Sequence, residues 1–225
     1  MWALIPAWNE AASVGAVVAA VRPRVDEVLV VDDGSSDETA AVAAAAGARV
    51  LRHSSNQGKG AALRTGLEAA FAAPAPAPDW VVVLDADGQH DPADIAKLVD
   101  VAQRNGARLV VGSRMDHPAG MPWIRYLTNR YTSWRLSRLA GQPIADSQCG
   151  YRLIHRSLLA VWRPQTRNFD TESEMLVQAG RGGLPIANAP VRTIYLDSAR
   201  PSRIHPVRDT IRFFTMLRRL RHPPR

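Results

Sequence analysis

The chain has 225 residues, 46% of them hydrophobic, enough for one globular domain with a core and a small appendage. Its one cysteine, Cys149, excludes an internal disulfide and fits a reducing cytoplasm; the absence of an apolar run of about 18 residues, and an uncharged Met1–Pro6, leave no expected membrane span or signal peptide. Eight arginines against one acid, Asp209, place the whole net charge of +7 in residues 199–225, which argues against a broad nucleic-acid-binding surface.

The first half alternates strand and helix patterns. Trp2–Pro6 reads as a strand, Ala11–Val21 as a helix, and Glu27–Val31 as a buried strand. Asp37 is the expected N-cap of a helix running to Ala46 and closed by Gly47. Arg49–Arg52 is a short strand and Lys59–Ala72 a helix; Pro74–Pro78 holds three prolines and reads as a stiff connector. Trp80–Leu84 is the fourth strand, Pro92–Gln103 a helix ended by Asn105-Gly106, and Leu109–Gly112 the fifth strand. Continuous apolar strands between helices imply an α/β fold with a mostly parallel, doubly covered sheet.

The second half is less regular. Pro122–Leu139 is expected to be helical, with Trp123, Ile124, Leu127, Tyr131, Trp134 and Leu136 as its apolar contacts. Asp146–Ile154 mixes turn and strand, Ser157–Trp162 and Thr171–Ala179 are short helices, and Pro190–Leu196 is a strand. His205–Arg221 reads as an arginine-rich amphipathic helix.

The polar segments gather where strands end. After Trp80–Leu84 come Asp85-Ala-Asp87-Gly-Gln89. Two carboxylates one residue apart repel each other unless a cation lies between them or one takes a proton, and a divalent metal carrying a diphosphate is a common reason to build such a pair at a strand's carboxyl end. Asp-Gly is also ordinary turn chemistry. Glu10, in Ile5-Pro6-Ala7-Trp8-Asn9-Glu10, is placed to accept hydrogen bonds from a ribose or base, or simply to start the next helix. Asp33, in Asp32-Asp33-Gly34-Ser35-Ser36-Asp37, is the choice for base recognition. Asn56-Gln57-Gly58-Lys59-Gly60 opens a helix, so its backbone N–H groups can approach a phosphate, although its spacing is not that of a P-loop. Arg114 ends the fifth strand as a candidate phosphate clamp. Asp170, Glu172 and Glu174 form a second acidic cluster.

In this order the segments resemble the family 2 glycosyltransferases of the GT-A nucleotide-sugar fold, nearest the dolichyl- and polyprenyl-phosphate mannose or glucose synthases. The resemblance spans about residues 3–205 and implies a catalytic domain over 1–205 followed by a basic helix over 206–225. It implies that Pro6, Ala7, Glu10 and Asp33 line a nucleoside pocket, and that Asp85 and Asp87 form the Asp-x-Asp pair, with Asp87 and Gln89 on Mg²⁺ or Mn²⁺. Arg114 and Arg125 would face phosphate, Asp146 and Arg152 would belong to the acceptor wall, and Ser202 and Arg203 would help close over the diphosphate. Cys149 and Tyr151 stand where many relatives have Ser and Phe, and the carboxyl-terminal membrane helices of several relatives are absent.

The reaction so implied is inverting transfer of a sugar from a GDP-mannose or UDP-glucose type donor to a polyprenyl phosphate. The metal would offset charge on the leaving diphosphate. A phosphate acceptor is already an anion and needs no base; a hydroxyl on a lipid, pigment or saccharide would need one, with Asp170, Glu172 and Glu174 as candidates. The 206–225 helix, with Val207, Ile211, Phe214, Leu217 and Leu220 at helical spacing among arginines, suits an anionic membrane surface or the flank of the domain. The expected location is cytoplasmic, peripheral on the inner face of the membrane.

Overall fold

The computed structural model describes residues 1–116, 121–166, 168, 170–194 and 215–218. Its strands are β1 (Trp2–Ala7), β2 (Glu27–Asp32), β3 (Arg49–Arg52), β4 (Trp80–Val83), β5 (Leu109–Ser113), β6 (Arg152–His155) and β7 (Ile186–Pro190). Its helices are α1 (Val14–Val21), α2 (Thr39–Ala45), α3 (Lys59–Phe71), α4 (Ile95–Asn105), α5 (Trp123–Ala140), α6 (Leu158–Val161) and α7 (Asp170–Arg181).

The strands form one sheet in the order β3-β2-β1-β4-β6-β5-β7. β1 pairs in parallel with β2 and β4, β2 with β3, and β5 with β7. β6 is inserted antiparallel between β4 and β5, with Arg152 opposite both Val83 and Val111. The amino end of β6 therefore lies at the sheet edge where β4 and β5 end, and segment 146–151 reaches that edge from the opposite direction. The apolar runs of β1, β2 and β4 are buried because helices cover them; α3 packs on β1 and β2.

Several helices begin and end for local reasons. Asp37 Oδ1 accepts the Thr39 N–H at 3.0 Å, so it caps α2 from two residues ahead. Gly106, at φ 59°, closes α4 in the left-handed conformation. Gly34 stands at φ 70°, and a Cβ there would lie 2.4 Å from the Ser55 carbonyl carbon, so the turn after β2 excludes a side chain.

Two expectations are corrected. The last strand is Ile186–Pro190, not Pro190–Leu196: β5 ends at Ser113 opposite Pro190, which leaves the following residues without a ladder partner apart from a bridge between Thr193 and His90. Residues 195–196 lie outside the described residues. The second correction concerns α5. Of its six expected apolar contacts only Leu136 is buried; Trp123, Ile124, Leu127, Tyr131 and Trp134 are exposed. The inward face is instead Asn129, Thr132, Ser133, Leu136 and Ala140, because the turn at 146–147 offers buried hydrogen-bond partners. Asn129 Nδ2 donates to Asp146 Oδ1 at 2.6 Å, and the Ser147 N–H donates to Ser133 Oγ at 2.9 Å.

The helix expected over 205–221 falls largely outside the described residues; of it only 215–218 are described, and these are helical, with Met216 and Leu217 buried in the core.

Candidate active site

The loops after β1 and β2 are tied to each other. The Asn9 N–H donates to Ser35 Oγ at 2.9 Å and Asn9 Oδ1 accepts the Ser36 N–H at 2.9 Å, with Asn9 held at φ 53°. The Glu10 N–H donates to Thr39 Oγ1 at 2.8 Å, and Ser13 Oγ donates to the Glu10 carboxylate at 2.9 Å. Pro6 and Ala7 are buried at the carboxyl end of β1. Asp33 is almost wholly buried and accepts the Gln57 N–H at 2.9 Å and the Gly58 N–H at 2.8 Å. Its Oδ1 also lies 2.7 Å from His53 Nδ1. Asp33 thereby holds the loop that delivers Lys59 to the start of α3. His53 was not singled out in the sequence, and nothing in its neighbours marks it.

The centre of the site is Asp85. Lys59 Nζ lies 2.5 Å from Asp85 Oδ1 and 3.4 Å from Glu172 Oε2, so the start of α3, the turn after β4 and the first turn of α7 meet at one ammonium. Burial alone would raise the Asp85 carboxyl, but Lys59 and then His90 outweigh it and hold it at about 2. Burial would lower the Lys59 ammonium; the charges of Asp85 and Glu172 raise it instead. Asp87 differs: burial, and then the negative charge of Asp85, raise its carboxyl above the usual range. His90 Nδ1 accepts the Asp85 N–H at 3.2 Å, and its ring stacks on Tyr151 with centroids 4.9 Å apart. Gln89 is exposed and donates its N–H to Asp87 Oδ1 at 3.0 Å.

Arg114 reaches the site from the end of β5. It grips Asp146 bidentately, Nε to Oδ2 at 2.7 Å and Nη2 to Oδ1 at 3.0 Å. Burial would raise the Asp146 carboxyl, but Arg114 and then Asn129 hold it below the ordinary value of 3.8. Arg114 also contributes to the lowering at Asp85, so its charge is felt there. Arg152 is fully buried and spends its guanidinium on backbone carbonyls: Glu172 at 2.7 Å, Cys149 at 3.1 Å and Ser147 at 3.1 Å. It ties the 146–149 turn to the start of α7.

The acidic cluster divides. Glu174 accepts from the Gln165 and Thr166 N–H groups, Thr166 Oγ1 and Gln178 Nε2, which makes it a brace for the 165–166 segment. Glu172 Oε1 is buried without a hydrogen-bond partner, as is Asp170 Oδ1. Arg125 is exposed on the first turn of α5 and has no hydrogen bond or ion pair among the described residues. Ser202 and Arg203 lie outside the described residues. The structure thus brings Asp85, Asp87, Lys59, Arg114 and Glu172 together at one edge of the sheet. Asn129, on α5, is a supporting residue that the sequence reading passed over; the polar spacing Asn129, Thr132, Ser133 was its signal.

Among the described residues, no group of three His, Cys, Asp or Glu side chains forms a metal cage. A divalent ion that arrives with a diphosphate needs only one or two protein carboxylates. Asp85 and Asp87 fit that demand. Burial, and then the neighbouring Asp85 charge, disfavour the ionised Asp87 carboxyl, and a cation held between the two carboxylates would favour their ionised forms.

The sequence model of the family Glycosyl transferase family 2 matches residues 2–162. The chain is 32% identical over 220 residues to a UDP-N-acetylglucosamine–dolichyl-phosphate N-acetylglucosaminyltransferase of Methanococcus voltae, covering 88% of this chain and 86% of that protein. It is 32% identical over 177 residues to the polyprenol monophosphomannose synthase of Mycolicibacterium smegmatis, covering 69% and 62%. Among solved structures, glucosyl-3-phosphoglycerate synthase from Mycobacterium tuberculosis, in complex with Mn²⁺, UDP and phosphoglyceric acid, superposes with a TM-score of 0.71 at 24% identity, covering all of this chain and 79% of that one. The seven-stranded sheet with its antiparallel β6 is the GT-A arrangement, and the chain belongs to glycosyl transferase family 2.

Proposed function

We propose that this glycosyltransferase moves a sugar from a nucleoside diphosphate donor to a polyprenyl phosphate, with Mg²⁺ or Mn²⁺ bound at Asp85 and Asp87 and inversion at the anomeric carbon. The observation that carries the reading is the carboxylate pair after β4 flanked by Lys59 and Arg114. Such a site suits a ligand that brings phosphates and a cation together. When bound, the metal would stabilise the negative charge that grows on the leaving diphosphate. Asp87, with Gln89 beside it, would hold it from the outer side, while Lys59 keeps Asp85 ionised and oriented. Pro6, Ala7, Glu10 and Asp33 border the nucleoside end, where Asp33 works by fixing the 53–58 loop.

The phosphate acceptor is favoured by Arg114 beside the site and by the dolichyl phosphate and polyprenol named for the two relatives. An acceptor anion needs positive charge rather than a base. One observation favours a hydroxyl acceptor as a second reading. Glu172 Oε1 is buried and unpartnered, an acceptor atom that a hydroxyl could satisfy.

The test is transfer from labelled GDP-mannose, UDP-glucose and UDP-N-acetylglucosamine, with Mn²⁺, to a polyprenyl phosphate and to the free polyprenol, for the wild type and Glu172→Gln. Label on the phosphate, reduced less than about tenfold in the variant, is the expected result. Label on an alcohol, with a loss of about a hundredfold or more in Glu172→Gln, would establish the second reading. No metal-dependent transfer to either acceptor would overturn both.

A further inference from the structure

The exposed side of α5 is built the wrong way round for a helix of a soluble domain. Trp123, Ile124, Leu127, Tyr131 and Trp134 are between 48% and 70% exposed. At about 100° per residue they share one side of the helix, opposite the buried Asn129, Thr132, Ser133, Leu136 and Ala140. A contiguous row of five large apolar side chains in water marks a surface that something else covers. Among the described residues no helix is long and apolar enough to cross a membrane. The described residues 215–218 give their apolar pair, Met216 and Leu217, to the core.

We infer that the outer face of α5 is a docking surface for an anionic lipid bilayer. Charge selects this occupant. Trp123–Ala140 carries four arginines and no acid; at about 100° per residue Arg130 and Arg135 flank the apolar stripe, Arg138 lies within it, and Arg125 falls on the other side of the helix. Arginines bordering an apolar stripe bind anionic headgroups while the stripe enters the acyl boundary. A second copy of the chain, related by a two-fold axis, would set this arginine-rich helix against itself and pay for like-charge contact. Trp123 and Trp134 stand about 16 Å apart along the axis, at the two ends of the stripe, and indole rings favour the headgroup level.

The surface is joined to the site through the width of one helix. Asn129, on the inner face of α5, donates to Asp146, and Asp146 grips Arg114. A bilayer under α5 would therefore present a lipid headgroup on the Arg114 side of the site. This purpose rests on the lipid-phosphate reading above; the docking itself does not.

The experiment is sedimentation of the full chain, without substrate, with vesicles of phosphatidylcholine alone and with phosphatidylglycerol added. It is run for the wild type and for a variant carrying Trp123→Gln, Leu127→Gln and Trp134→Gln. Binding to the anionic vesicles that weakens with salt, and is at least about tenfold weaker in the variant, is expected. The variant should melt at the wild-type temperature, because the three side chains are exposed. Brominated lipids should quench tryptophan fluorescence in the wild type and much less in the variant. Equal binding by wild type and variant, or no binding by the wild type, would overturn the inference. So would a wild-type dimer that the variant dissolves without either binding vesicles, which would assign the stripe to a second copy. Vesicle binding as expected without sugar transfer to a lipid phosphate would leave the docking standing and remove the acceptor reading.

Discussion

The part of the sheet made by β1–β4 and the part made by β5–β7 with α5 and α7 treat polar residues in opposite ways. In the first, the cores of β1, β2 and β4 are apolar and buried, and polar groups collect at the carboxyl edge, where Asn9, Ser35, Asp33 and Lys59 bond across loops. In the second, charge runs through the interior: Asp146, Arg152 and Glu174 are buried, with the neutral amide of Asn129 beside Asp146, while Trp123 and Trp134 of α5 face outward. A scaffold held by apolar burial can carry an awkward charge at its rim at little cost in folding. One held by matched buried charges cannot lose a member without leaving its partner stranded. The two regions should therefore respond differently to the same kind of mutation.

The largest expected effect is on rate at the rim. Asp87→Ala should lower turnover roughly a thousandfold, or about 4 kcal/mol of transition-state stabilisation. Its stability should not fall. The Asp87 carboxyl is raised in the folded state, so the fold holds that proton more tightly than the unfolded chain and loses stability as pH rises from the ordinary value of 3.8 through the raised one. Removing the group at neutral pH removes a disfavoured charge. Melting of the metal-free protein should be unchanged or slightly higher, and a marked drop would break the contrast between the two regions.

Asp146→Asn should do the reverse, with folding suffering first. It leaves the Arg114 guanidinium, which is largely enclosed, without its bidentate partner, a loss of about 3–5 kcal/mol. The sign with pH follows from the depressed carboxyl. Asp146 contributes its stability above the ordinary carboxyl value of 3.8, and that contribution is lost as pH falls through its lower folded value. The gap between wild type and variant, read by denaturant unfolding, should be full at neutral pH and should close well below pH 3.8. A gap that persists unchanged in acid would show that the side-chain shape, not the charge, holds the turn.

This contrast also explains what was legible beforehand. The runs Glu27–Asp32 and Trp80–Val83 announce buried strands, and the polar residues that follow them fall at the site, because apolar burial and strand-end chemistry leave a local pattern. β7 was missed, since Ile186-Ala-Asn-Ala-Pro190 has little strand propensity and exists by pairing with β5. The inner face of α5 was misassigned for a related reason. Hydrophobicity chooses the inward side of a helix only when the neighbouring surface is apolar, and here it is the 146–147 turn that receives Asn129 and Ser133. Asp33 was placed at the site, but its bonds to Gln57 and Gly58 are fixed by a loop 24 residues away and leave no trace in local spacing.

The smallest effect tests the seam between the regions. Gly150 belongs to the segment that β6 brings to the edge, and a Cβ there would lie 2.7 Å from Asp85 Oδ2 and 3.0 Å from Lys59 Nζ. Its backbone is not left-handed, so alanine is accessible to the chain itself, and the loss of unfolded-state freedom would by itself stabilise by about 0.4–1 kcal/mol. Against this stands a crowding cost of about 1–3 kcal/mol, which falls on the Asp85–Lys59 pair. Gly150→Ala should therefore melt within a few degrees of the wild type while shifting the Asp85 carboxylate. The displacement should raise KM for the donor, and the metal concentration at half-maximal rate, by about tenfold, with a smaller fall in kcat. Steady-state kinetics over donor and Mn²⁺ concentrations would read both. If kcat/KM is unchanged, Asp85 has room to yield and the seam is loose; if stability falls by several kcal/mol with the kinetics intact, the seam belongs to the charge-braced region rather than to the rim.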